Sequence, residues 1–208
     1  MRSRALAAPG CNPPFVASYR FVLLASAIGI AIATSSDAAP LRAEARFVLA
    51  FPSDPQSFGD GWDTGRGIAG GAQWLLGSRW AAGLEGTFTQ FAASDLGDVA
   101  IGGTRRTGRV AVPVAWRWNP QGRVQMEAVG SFGYGHQSTQ PISGGPVPEK
   151  GSRDDGIGWS AGLGVTIPWI ASTAFAIDVR YEALRFQDSR LAHTGLWLGL
   201  RTSTSGSH

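Results

Sequence analysis

The sequence predicts an all-β fold, an eight-stranded antiparallel up-and-down transmembrane β-barrel, and three observations predict it. Apolar residues recur at every second position in eight separate segments. The connections between those segments alternate between long and tight. Five of the eight tryptophans, Trp74, Trp80, Trp116, Trp118 and Trp169, stand within a few residues of the tight connections. A period of two puts successive side chains on opposite faces of a strand. Segments of this length cross a bilayer when tilted. Long loops at one end and short turns at the other are the layout of an up-and-down membrane barrel, and aromatic residues ring such a barrel where it meets the interface.

The elements follow in order. Leu41–Phe51 carries Leu41, Ala43, Ala45, Phe47, Leu49 and Phe51 in phase. Arg66–Leu76 carries Ile68, Gly70, Ala72, Trp74 and Leu76, and Trp80–Phe91 carries Trp80, Ala82, Leu84, Gly86 and Phe88. Thr107–Trp118 carries Val110, Val112, Val114, Trp116 and Trp118; Pro113 within it removes one ladder hydrogen bond, for which a bulge is expected. Arg123–Gly135 carries Val124, Met126, Ala128, Gly130, Phe132 and Tyr134. Ile157–Ile167 carries Ile157, Trp159, Ala161, Leu163, Val165 and Ile167. Ala174–Phe186 alternates Phe175, Ile177, Val179, Tyr181 and Ala183 against Asp178, Arg180 and Glu182; His193–Arg201 carries Leu196, Leu198 and Leu200. The long connections are 52–65, 92–106 and 136–156, with a shorter one at 187–192; the tight ones are 77–79, 119–122 and 168–172.

The N-terminus is a separate object. Arg2, Arg4 and Arg20 precede the apolar run Phe21–Ala33, and ATSSDAAP follows. That is the pattern of a secretory signal peptide, with Ser36 and Ala38 suited to the −3 and −1 positions. Residues 1–38 are therefore expected to be removed, 39–202 to form the barrel, and 203–208 to be a short tail. The run of 13 residues is shorter than the ~20 of a transmembrane helix. Cleavage takes away Cys11, the only cysteine, and with it thiol nucleophiles and thiolate metal sites. It leaves 15 basic and 14 acidic residues, so the basic pI of the whole chain is no argument for nucleic acid.

A soluble lipocalin-type barrel alternates as well, with its apolar face inside. The composition argues for lipid. Lys150 is the only lysine, whereas soluble surfaces are lysine-rich and about 25–35% charged. The non-apolar face is made of small residues, such as Gly158, Ser160, Gly162, Gly164 and Thr166, or Gly67, Ala69 and Gly71. These leave room for long side chains from neighbouring strands in a narrow interior. Phe175, Ile177, Val179 and Tyr181 are thus expected to face lipid, and Arg185, outward near the long-loop end, to reach headgroups.

With its signal region, the stretch AFAIDVRYEALRF (174–186) and the closing HTGLWLGLR (193–201), the chain resembles the small eight-stranded outer-membrane barrels of Gram-negative bacteria, of OmpA, OmpX and opacity-protein type. The resemblance covers the whole mature chain. It implies export to the bacterial outer membrane, contact with outer-membrane lipid and lipopolysaccharide, insertion by the barrel assembly machinery, and loops open to an extracellular ligand.

The inward phase collects Arg42, Glu44, Arg46, Glu85, Arg109, Arg117, Glu127, Asp178, Arg180, Glu182 and Arg201 in the lumen. Ions in a dry interior need partners, and near balance of sign predicts a paired network. Eight strands leave a bore about wide enough for side chains. The expectation is a plugged barrel with a structural or surface-interaction role; a narrow low-conductance channel and a secreted lipocalin-like lipid carrier are the alternatives.

No catalytic, cofactor or metal residues are expected. Asp188, Ser189, His193 and His136 near the loop end supply the residue types of a lipid A hydrolase, but no hydrolase motif joins them. GIAGG (67–71) lacks the lysine and helix of a phosphate loop. Asp54, Asp60 and Asp63 read as an acidic surface loop rather than a calcium site. Arg105, Arg106 and Arg109 are placed to touch lipopolysaccharide phosphates.

Overall fold

Alternation along the whole chain gives every strand one face for a common interior, and the sheet closes on itself. A computed structural model describes residues 40–93, 103–140, 152–170, 172–187 and 189–203. The expected signal peptide, with its cleavage position, and the end of the tail lie outside the described residues.

Among the described residues eight strands form one closed barrel: β1 (Leu41–Asp54), β2 (Gly65–Leu76), β3 (Trp80–Ala92), β4 (Thr104–Arg117), β5 (Gln125–Thr139), β6 (Ser152–Ile170), β7 (Thr173–Phe186) and β8 (Arg190–Ser203). Each pairs antiparallel with the next in sequence, and β1 pairs with β8, as in Phe47↔Leu198. Closure leaves no edge strand, so every ladder finds a partner.

The strands outrun the expected segments mostly at the long-loop end. β1 continues to Asp54, β5 to Thr139, and β6 begins at Ser152. A short helix, α1 (Gln56–Gly61), lies in the first connection. The last connection shrinks from 187–192 to a tight turn, in which the Phe186 amide donates to the Ser189 carbonyl at 2.8 Å. At the other end Gly77 turns β2 into β3 with φ of 75°, the left-handed region that glycine enters without a Cβ clash. β6 runs through Pro168 and Trp169 to Ile170, with a register irregularity there instead of a turn beginning at 168.

Pro113 is not a bulge. Pairing with β5 continues through Pro113↔Ser131, and pairing with β3 lapses only opposite Gly83 and Leu84 before resuming at Glu85↔Ala111 in the same register. The proline costs a short break in one ladder and no extra residue, because its missing N–H falls on the β3 side.

The two faces separate by chemistry. Phe47, Val112, Phe132, Leu163, Ile177 and Leu198 stand on the outside, exposed. From Val110 to Trp118 the outward apolar run takes eight residue steps. That is about 27 Å along the strand and about 20 Å along the axis at a tilt of about 40°, close to the ~25 Å apolar band of membrane barrels. A lipocalin arrangement would turn Phe175, Ile177, Val179 and Tyr181 inward; here they point out.

Candidate functional site

The inward residues of β1, β3, β4, β5, β7 and β8 bring the charges of the lumen together. All eleven are buried. Ten of them form a single string in which acid and base alternate. Arg42 meets Glu127 at 3.1 Å, Glu127 meets Arg201, and Arg201 meets Glu44 at 3.1 Å. Glu44 meets Arg46 at 2.5 Å, Arg46 meets Asp178, and Asp178 meets Arg180 at 3.2 Å. Arg180 meets Glu85 at 2.7 Å, Glu85 meets Arg109 at 3.3 Å, and Arg109 meets Glu182 at 3.2 Å. The string runs from the tight-turn end to the long-loop end, with five arginines against five carboxylates.

Neutral groups take some of the remaining arginine donors. Gln73 accepts from Arg42, Thr166 accepts from Arg201, and Ser131 accepts from Arg109 at 2.8 Å while sharing a 2.7 Å bond with Ser160. Arg117 stands apart from the string: its guanidinium donates to the Gly77 carbonyl at 3.5 Å, at the tight-turn mouth. Its register partner on β5, Glu127, gives its close contacts to Arg42 and Arg201 instead.

Glycines make the string fit. A Cβ at Gly164 would fall 1.8 Å from Asp178 Oδ1, and one at Gly162 would fall 2.7 Å from Arg180 Cγ. The small residues of β6 are the space that β7's ions occupy.

Above the ions lies a layer that the eleven-residue reading missed. Val48, Ala50, Phe58, Trp62, Ala69, Phe91, Leu184, Phe186, Leu191 and Trp197 form one buried apolar cluster. Phe58, carried by α1, packs edge-on to Phe91 at 5.1 Å and closes the long-loop mouth. Trp197 joins the layers: Arg180 lies 4.2 Å and Arg46 5.8 Å from its ring, as cations do over indole faces. The signal was present, since Phe91, Leu184, Phe186 and Trp197 keep the inward phase of their strands. It is weak because inward apolar residues break the apolar-out rule that identified the strands.

Other candidates are dispersed. The Ser189 hydroxyl accepts from Gln137 Nε2 at 3.0 Å at the mouth. His193 is buried in the lumen, 4.0 Å from Glu182 and edge-on to Phe91. His136 lies on the outer wall against Asp155 at 2.7 Å. Asp188 lies outside the described residues. Mouth, lumen and wall are three places, and among the described residues Ser189, His193 and His136 are not brought together. Asp54 pairs with Arg190, and among the described residues no three carboxylate or imidazole groups gather around a metal position.

The expected arginine triplet separates too. Arg109 is spent on Glu85 and Glu182 inside. Arg105 lies over the Trp62 and Phe58 rings at 4.7 and 5.4 Å, at the mouth. Only Arg106 follows the outward phase.

Trp74, Trp80, Trp118 and Trp169 are exposed on the outer wall next to the tight turns, and Trp116 beside them is half-buried. Trp116 and Trp118 meet edge-on at 4.7 Å, and Trp169 packs on Phe175 at 4.7 Å.

No family model and no curated protein matches the sequence. Solved structures do. The attachment invasion locus protein Ail of Yersinia pestis matches with a TM-score of 0.52 at 19% identity, over 80% of this chain and 99% of that one. Neisserial surface protein A matches at 0.54 and 12% identity, over 78% and 96%. A major outer membrane protein of Thermus thermophilus matches at 0.52 and 13%, over 80% and 100%. The fold is that of the small eight-stranded outer-membrane barrels. The outer-membrane barrel fold explains the apolar exterior, which has a bilayer as its natural solvent.

Proposed function

We propose that this chain is a non-enzymatic barrel of the bacterial outer membrane whose lumen is permanently filled, so that it acts through its wall and its outer loops and not by conducting solutes. The observation that carries this reading is the unbroken acid–base string beneath an apolar plug. Each of the ten ions in the string already has an opposite charge in contact, so neither a free charged ring for passing ions nor an open bore is left there among the described residues.

The reading requires outer-membrane lipid and lipopolysaccharide around the wall, insertion by the barrel assembly machinery, and removal of residues 1–38 on export. The tryptophans of the tight-turn end serve as the inner-leaflet girdle. A ligand for the loops is a shape-and-partner question that the barrel itself does not answer.

Two measurements test the proposal. Protein from the outer-membrane fraction should migrate differently on a gel before and after boiling in detergent. In planar bilayers it should show no steps above baseline. Regular ion-conducting steps from the wild-type protein would replace the plugged barrel with the narrow channel, and a soluble protein with heat-indifferent mobility would reject both.

A further inference from the structure

The register of the sheet assembles an outward row that is invisible in the linear sequence. Arg66 pairs with Gln90, Gln90 with Arg106, Arg106 with Ser138, and Ser138 with Arg153. All five keep the outward phase of β2 to β6, and none is buried. Guanidinium groups therefore occur on every second strand, β2, β4 and β6, and short polar residues on the strands between. Strands lie about 4.8 Å apart, so successive arginines of the row stand about 10 Å apart along the wall.

The row sits at the upper border of the apolar band. Two residues below it on β2 and β3 come Ile68 and Phe88, and two residues below Arg106 and Arg153 come Gly108 and Asp155. Asp155, the carboxylate of that lower row, is engaged by His136. Around Arg66 and Gln90 the wall is hollowed into a groove of about 490 Å³, reaching from Asp63, Thr64 and Ala92 at its loop border to Phe47, Ile68 and Phe88 one outward rung below the row. Cations spaced along a polar rim, with a groove at one of them that opens onto the first apolar rung of the wall, match one occupant: a lipid of the outer leaflet with an acyl chain and more than one phosphate. Arg forks bind phosphate oxygens by charge-assisted pairs, and a single phosphate could engage only one rung of a ladder spaced this widely.

We propose that Arg66, Arg106 and Arg153, with the groove around Arg66, form a lipid site on the outer wall for a multiply phosphorylated outer-leaflet lipid. This rests on the reading of the chain as an outer-membrane barrel with its long loops outside.

The test uses the full barrel in phosphatidylcholine nanodiscs doped with diphosphoryl lipid A, with lipid retention read by native mass spectrometry after release. Wild-type protein should retain one diphosphoryl lipid A in preference to phosphatidylcholine and to monophosphoryl lipid A. The triple variant Arg66→Gln, Arg106→Gln, Arg153→Gln should retain about tenfold less. Arg123→Gln, an exposed arginine near the tight-turn end, should change nothing. If the triple variant loses its heat-shifted gel mobility, Arg66→Gln alone decides, with an expected loss of about two- to threefold. Equal retention by the variants and wild type, equal retention of the mono- and diphosphoryl lipids, or an equal loss in Arg123→Gln overturns the site. A wild-type protein without heat-shifted mobility would instead remove the barrel reading beneath it.

Discussion

At the scale of single residues, the lumen is governed by charge balance in a space that water does not share. Glu85 shows this best, because it holds two partners: Arg180 at 2.7 Å and Arg109 at 3.3 Å. Glu85→Gln keeps the volume and one acceptor but leaves five arginines of the string against four carboxylates. Breaking a buried pair from one side costs about 3–5 kcal/mol. The expected outcome is a lower temperature for the heat-induced mobility shift. Adding Arg180→Met, which restores the balance, should recover part of that loss. The cycle separates ion pairing from packing: if the two losses simply add, Glu85 and Arg180 are not coupled and the string is only a drawing. The identities of these ions were legible in the sequence, because a period of two assigns every residue of a strand to a face. Their pairing was not. Glu127 meets Arg42 across 85 positions, a contact set by register and barrel closure and not by spacing.

At the scale of elements, the strands were legible and their upper ends were not. The alternation that defines a strand reads clearly where outward means lipid. Above the bilayer both faces meet polar surroundings, so Thr104–Arg106, His136–Thr139 and Ser152–Gly156 carry no such contrast, yet their backbones stay in the ladder. α1 was missed for a related reason. It is six residues long, under two turns, and too short to show a helical period. What holds it is Phe58, buried against Phe91 and covered by Arg105. Phe58→Ala should therefore release α1 from the mouth and destabilise the barrel by about 2–4 kcal/mol, in the range of large aromatic truncations. Limited proteolysis should report this as faster cutting between Pro52 and Thr64, with the strands still protected. Unchanged cutting would mean that α1 is held by its backbone bonds, such as the Asp63 amide to the Ala92 carbonyl at 2.9 Å, and not by the plug.

At the scale of the whole molecule, the two lumen layers are barriers in series, and they fail by different physics. The apolar cluster at the long-loop end excludes water because it offers ions no partners. The acid–base string below it blocks the bore because its members are bound to one another at contact distance, with β6 glycines giving them no slack. Removing one layer leaves the other. Phe58→Ala alone should stay silent in a planar bilayer, since the string beneath is intact. Arg180→Met alone should also stay silent, because the apolar cap remains, although its thermal stability should fall. Only the combination opens both layers, and it should give brief conducting steps that neither single variant shows. Steps from Phe58→Ala alone would mean that the string yields to hydrated ions once water reaches it, so that the apolar cap is the sole gate. Silence of the combined variant, with its mobility shift retained, would mean that the eight-stranded bore is closed by its remaining side chains whatever the two layers do.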